Sequence, residues 1–322
     1  MKKLHTISIA IVLGLQILAW TSKAQNVHFV LDKAIELKCP SQHFGGISGI
    51  EYLADKGVTL MVSDKDEHRG PSHAFIMYRE DSIRELITDF PGIGNYNDIQ
   101  LKEIESFRYN KKQRKFYFSY ESDHTGVGSI EAGNKEKIVF TEDLPSSNRG
   151  IEGIAFTSNN DLWAAEESGK GTLCDKDLYT TFYKFSPGKD GYNGQHATQF
   201  TYPLNRCSCS GGKSFNGRIG NGVSEILAFD ANKLLVLERC WDGGSNGSNV
   251  MLYLATINEK NKTLTKQLLV DVNAILNGKK VDNLEGMTWG KPIKGQRTLY
   301  LVSDDNFNSK QVTQFIILRE VQ

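Results

Sequence analysis

Five short stretches of this 322-residue chain share one pattern, and an internal repeat constrains a fold more tightly than any single motif. RGIEGIAF at 149–156 has relatives in GGISGIEY at 45–52, KEIESFRY at 102–109, VSEILAF at 223–229 and DNLEGMTW at 282–289. Aligned on the closing aromatic, the position of Glu152 is filled by Ser48, Glu105, Glu225 and Glu285, at intervals of 57, 47, 73 and 60 residues. Each copy is followed by a second strand-like run: TLMVSD, KFYFSYES, LWAAEE, KLLVLER and TLYLVSD. These second runs end near Asp64, Glu121, Glu166, Glu238 and Asp304.

Third and fourth runs complete most units, such as HAFIMYR with IRELITDF and NVMLYLATI with LTKQLLVD. The runs are short, rich in β-branched and aromatic residues, and separated by Asn, Asp and Gly, which predicts strands and turns. Helical periodicity is nearly absent; VDVNAILNG at 270–278 predicts at most one short helix. Four-stranded units at this repeat length predict an all-β chain, a β-propeller with five units counted. A six-bladed ring, at about 50 residues per blade, is the alternative. The last unit supplies three strands through VTQFIILR at 312–319, so the N-terminal run within 27–37 is expected to be its fourth and to close the ring.

This arrangement gives Glu152 a place. A carboxylate among Ile, Gly, Ala and Phe is costly to bury unless it is hydrogen-bonded, paired or bound to a cation. The first strand of each propeller unit lines the central channel, and equivalent positions in successive units sit at one height. Glu105, Glu152, Glu225 and Glu285 are therefore expected to converge on one mouth, with Asp304 beside Glu152 and Glu285. The loop SDDNFN at 303–308 adds Asn306 as a further oxygen donor. Crowded carboxylates repel, and a hard divalent ion that accepts an all-oxygen set, calcium above all, would neutralise them. The expected metal set is Glu105, Glu152, Glu225, Glu285, Asp304 and Asn306. The alternative role for each glutamate is a structural clamp between units.

The N-terminus, MKKLHTISIAIVLGLQILAWTSKAQ, carries two lysines, an apolar stretch from Ile7 to Trp20 and a small-x-small site at Ser22-Lys23-Ala24. This predicts a cleaved signal peptide over 1–24 and a single exported domain over 25–322, periplasmic or extracellular, with no membrane span. Cleavage would remove Lys2, Lys3 and Lys23 and no acid, leaving 35 basic residues against 38 acidic. That balance argues against nucleic acid as a partner. A monomer acting on a small molecule is the expected form. In an oxidising compartment Cys39, Cys174, Cys207, Cys209 and Cys240 are expected to form disulfides rather than a zinc site, with the pairing left open.

GGISGIEY…VSD, NRGIEGIAF, LWAAEE, DNLEGMTW and LYLVSDDNFNSKQVTQFIILR together resemble the phytase-like family, also called the esterase-like activity of phytase family. The resemblance runs from about Phe44 to Arg319, with the motifs in family order. It implies an exported propeller and a phosphoester or ester hydrolase. No G-x-S-x-G nucleophile elbow and no H-E-x-x-H zinc motif is present. The chemistry is therefore expected from the acids, with Glu152, Glu285 and Asp304 as catalytic groups and a metal ion polarising the substrate. Arg149, Arg239 and Lys310 are the expected clamps for a phosphorylated substrate, salt bridges to the glutamates being their other reading. A lactonase-type propeller, or a non-catalytic binding propeller, is the alternative function.

Overall fold

The structure, a computed structural model, describes residues 27–64, 72–86, 103–121, 124–130, 137–143, 150–167, 178–189, 191–205, 221–241 and 248–321. The expected signal peptide, Arg149, Cys174, Cys207 and Cys209 lie outside the described residues.

Strand β1 is His28–Glu36. The first unit holds β2 (Ile47–Leu53), β3 (Val58–Ser63), β4 (Ala74–Arg79) and β5 (Ser82–Glu85), and the second β6 (Glu103–Asn110), β7 (Lys115–Glu121), β8 (His124–Ile130) and β9 (Lys137–Asp143). The third holds β10 (Ile151–Phe156), β11 (Leu162–Glu166), β12 (Tyr179–Phe185) and β13 (Thr198–Pro203). The fourth holds β14 (Asn221–Ala228), β15 (Lys233–Trp241), β16 (Ser248–Asn258) and β17 (Thr263–Asp271). The last contributes β18 (Asn283–Trp289), β19 (Thr298–Asp304) and β20 (Gln314–Val321). The one α-helix among the described residues, Val272–Ile275, is a single turn capped by Asp271, whose carboxylate accepts from the Ala274 amide.

Within each unit the strands pair in chain order, and a single parallel bridge, Thr201 to Thr263, joins the outer strands of the third and fourth units into an eight-stranded sheet. β1 pairs antiparallel with β20, from His28 opposite Val321 to Glu36 opposite Gln314, as expected from the three-stranded last unit. The first strands contact one another in sequence: β2 meets β6, β6 meets β10, β10 meets β14, β14 meets β18, and β18 returns to β2.

Burial grades outward along each unit, which explains the composition of the strands. β3 and all but the last residues of β10 and β14 are buried throughout, because neighbouring units cover both faces, and they read as continuous apolar runs. The outermost β17 alternates, with Leu264 and Val270 inward and Thr265, Gln267 and Leu268 in solvent. The cores lie between units rather than within them. Leu60 and Ile76 of the first unit pack with Phe107 and Phe118 of the second, and Trp163 and Phe200 of the third with Val236 and Tyr253 of the fourth. Each fully buried Leu or Phe contributes about 1.5–3 kcal/mol, so these seams hold the units together.

Candidate functional site

In each of the five units among the described residues, the pairing of the first strand with the second skips one residue near the start of the first strand. The skipped residues are Ser48, Glu105, Glu152, Ser224 and Glu285. A bulge takes a side chain out of the ladder and re-aims it, and here the device recurs at one position in every unit. The fourth member corrects the alignment made on the closing aromatic, which placed Glu225 in this row. Four residues separate the bulge from the aromatic in the other units, whereas five separate Ser224 from Phe229, so the fourth strand carries one extra residue.

The second strands show the same one-residue correction. Ser63, Tyr120, Glu166, Glu238 and Ser303 face the residue just before the bulge. The next positions along, Asp64, Glu121, Glu167, Arg239 and Asp304, form the row beside the bulged residues. Glu166 and Glu238, expected in that row, turn to the other face. Glu166 accepts from the Tyr183 hydroxyl at 2.6 Å, and Glu238 accepts from the Tyr202 hydroxyl at 2.7 Å and from Lys266.

The two rows meet. Arg239 sits between carboxylates, with Nη1 2.6 Å from Glu285 Oε1 and Nη2 3.2 Å from Glu167 Oε1. Asn283 Nδ2 also donates to Glu285 Oε1, at 2.7 Å. Asp64, Glu103 and Glu105 each offer an oxygen within 4.8 Å of the others. Burial pushes the Glu105 carboxyl well above the usual range, reinforced by Asp64, Glu152, Glu121 and Glu285. Burial likewise raises Glu152, with Glu167, Glu121 and Glu285 adding to it and Arg239 opposing. Asp304 is raised by burial and then by Glu285, against a 2.6 Å hydrogen bond from the Asn306 amide. Burial carries Glu121 up to about 7, although the Gly150 amide donates to it. Glu105, Glu152, Glu285 and Asp304 thus share one acidic mouth. Among the described residues, the carboxylates of Glu105 and Glu152 make no hydrogen bond or ion pair, and Glu152 is only 8% exposed.

Glu225 lies elsewhere. Its carboxylate accepts from Ser106 Oγ at 2.9 and 3.1 Å and from the Ile226 amide at 2.8 Å, and Arg108 Nη2 stands 2.7 Å from Oε2. Arg108 also donates to the carbonyls of Ile50 at 3.0 Å and Ile226 at 3.1 Å, so the pair ties β2, β6 and β14 across the interior. A Cβ on Gly153 would lie 2.8 Å from Glu225 Oε1 and 2.5 Å from the Ile226 nitrogen, so this glycine is needed to make room. Of the remaining expected residues, Asn306 is exposed at a φ of 49° beside Asp304, and Lys310 is exposed, its amide donating to Asn308 Oδ1 at 3.1 Å. The loop carrying them docks on the first unit. Asp305 Oδ1 accepts from the Gly46 amide at 2.8 Å, and Gly46, at a φ of +60°, leaves space that the Phe307 ring fills.

Glu103 and Glu167 belong to the site and were not among the expected residues. Their signal was present in the sequence, since Glu167 is the second acid of LWAAEE and Glu103 precedes Glu105 by two, but only the register shows which acid faces the mouth.

Stacked four-stranded units whose first strands contact one another in turn define a β-propeller. An endo-arabinase from Bacteroides thetaiotaomicron VPI-5482 shares the fold with a TM-score of 0.51 at 10% identity, over 91% of this chain and 96% of that one. The catalytic domain of a Coprinopsis cinerea GH62 α-L-arabinofuranosidase is similar at a TM-score of 0.48 and 12% identity, over 92% and 98%. The chain belongs to the phytase-like family, described as "Esterase-like activity of phytase", which matches residues 42–307. No curated protein matches the chain.

Proposed function

We propose that this chain is an exported, monomeric, five-bladed propeller hydrolase, its ring closed by β1, that cleaves a small phosphoester or ester at the acidic mouth. The observation that carries this reading is the pair Glu105, half-buried, and Glu152, buried, both without partners among the described residues and facing the same acids. Unpartnered buried carboxylates cost stability, and a site that keeps them has a use for them. The disulfide at Cys240 supports the exported location, while Cys39 is a free thiol.

The donor set suits a hard divalent cation, calcium above all, because it is all oxygen and rich in carboxylates. Asp64, Glu103, Glu105, Glu152 and Asp304 would hold it, with Asn306 at the rim; of the expected set, Glu225, engaged by Arg108, and Glu285, engaged by Arg239, drop out. When bound, the ion would supply charge neutralisation and polarise a phosphoryl or carbonyl oxygen. The chain's own groups divide the rest of the work. Glu152, whose carboxyl burial and the neighbouring acids hold well above its usual range, is placed to give a proton to a leaving oxygen. Asp304 is a candidate base, and Arg239 keeps Glu285 and Glu167 oriented while presenting positive charge to an anionic substrate. Arg149 and Lys310 are the proposed outer clamps.

A neutral ester or lactone is the second reading, and the engagement of Arg239 by two glutamates favours it, since that leaves the mouth less attractive to a phosphate. Metal analysis of the purified chain, followed by phosphomonoester, carboxylic ester and lactone substrates with and without chelator, separates these readings. Phosphatase activity abolished by chelator and by Glu152→Gln supports the first, and chelator-resistant lactone hydrolysis the second. Stoichiometric calcium with no turnover of any substrate would assign the propeller to binding rather than catalysis.

A further inference from the structure

The outer part of the first unit holds a second cluster that the mouth chemistry does not use. His43 lies between β1 and β2, His73 immediately before β4, and Glu85 is the last residue of β5. Nδ1 of each ring lies 2.9 Å from the same oxygen, Glu85 Oε1. The rings stack face to face, with centroids 4.3 Å apart and planes 11° from parallel. Glu85 Oε2 accepts from Ser41 Oγ at 2.5 Å, and Ser41 Oγ in turn accepts from the His43 amide at 3.0 Å. One ligand atom from each of His43, His73 and Glu85 lies within 4.8 Å of the other two.

Hydrogen bonding alone leaves this cluster incompletely satisfied. A neutral imidazole has one N–H donor and one lone pair. If His73 donates from Nδ1 to Glu85, the lone pair on Nε2 is left over, and Nε2 is buried with no hydrogen-bond partner among the described residues. If the proton is on Nε2 instead, the Nδ1 lone pair faces a carboxylate oxygen. Protonating both rings would relieve that contact but would stack two cations. Burial, and secondarily His43, hold the His73 imidazole below its usual range. The Ser41 hydroxyl and the His43 ring outweigh burial and hold the Glu85 carboxyl below its usual range.

We propose that His43, His73 and Glu85 form a binding site for one transition-metal ion of the zinc class, separate from the acidic mouth, with Ser41 orienting the carboxylate. Two imidazoles and one carboxylate are a donor set that such ions prefer and that calcium does not. Ser41 Oγ fixes the carboxylate through the oxygen not shared by the two rings, the role played by hydrogen-bond partners behind metal ligands in general.

The test is a calorimetric titration of the full chain, freed of metal by a chelator, with Zn²⁺ near neutral pH. One ion per chain is expected. The double variant His43→Gln/His73→Gln should bind at least about 100-fold more weakly, and Ser41→Ala about 10-fold more weakly. Co²⁺ in place of Zn²⁺ should give visible absorption bands that the double variant loses while its circular dichroism is unchanged. Glu105→Gln/Glu152→Gln should leave the Zn²⁺ affinity unaltered, which separates this site from the mouth. Equal affinity in wild type and the histidine double variant, or Co²⁺ bands that survive in it, would overturn the proposal. Zn²⁺ binding abolished by the mouth variant instead would do the same.

Discussion

Glu152 and Glu225 occupy neighbouring register positions on adjacent units, both buried in runs of apolar residues, yet their surroundings differ completely. Glu225 sits one residue beyond its bulge and is saturated: Ser106, the Ile226 amide and the Arg108 guanidinium meet its two oxygens. Glu152 is the bulged residue itself, and its carboxylate meets no donor among the described residues, with Glu167, Glu121 and Glu285 raising the cost of its charge. The first arrangement closes the interior, and the second leaves chemical capacity at one end. One residue of register separates a structural ion pair from a candidate site, because a single-residue step along a strand carries a side chain to the opposite face.

The largest expected effect breaks the structural half of this comparison. Glu225→Ala would strand Arg108 as an uncompensated buried charge, and we expect a loss of about 3–5 kcal/mol in denaturant unfolding. Adding Arg108→Met should recover most of that loss, since removing both partners of a buried pair is often close to neutral. If the single variant unfolds like wild type, the pair does not tie the strands as described.

The next effect lies in the mouth. Glu121 has its carboxyl carried to about 7 from an ordinary 4.5, so the folded state holds the proton more tightly than the unfolded chain. Its contribution is fully present below about 4.5 and is lost as pH rises through about 7, and Glu105, Glu152 and Asp304, also raised, act in the same direction. Without added cation the chain should therefore be less stable above pH 7 than near pH 5, by on the order of 2 kcal/mol from Glu121 alone. Glu121→Gln should flatten the profile; an unchanged slope in that variant would assign the dependence to other groups.

Much of the architecture was legible in the chain because the repeat combines an apolar run, a closing aromatic and a second strand, all of which the fold uses directly. The pairing of β1 with β20 followed from the incomplete last unit. The convergence of Glu105, Glu152, Glu285 and Asp304 followed from positional equivalence. What the repeat concealed were single-residue shifts. Anchoring on Phe229 hid the extra residue that makes Ser224 the bulge, and reading the strand end at Glu166 and Glu238 passed over Glu167 and Arg239. Hydrogen-bond register is set by contacts between strands, which the residues of one strand do not specify. The His43, His73 and Glu85 cluster was invisible for a related reason, since its members come from three separate segments.

The smallest expected effect concerns the rim. Lys310→Ala removes an exposed side chain and should alter stability by no more than about 0.5 kcal/mol. If Lys310 helps to clamp a phosphate, the same change should raise KM for a phosphomonoester with kcat preserved; an unchanged KM removes it from the site.

The central claim is that Glu105 and Glu152 are kept unpaired to receive a cation. A calcium titration of the full chain near neutral pH, run in buffers of different ionisation enthalpy, tests it most directly, because carboxyls whose proton affinity is raised release protons when an ion replaces them. The account predicts saturable binding with proton release, both lost in Glu105→Gln/Glu152→Gln while the fold persists. Binding without proton release, or binding undiminished in that variant, would contradict it.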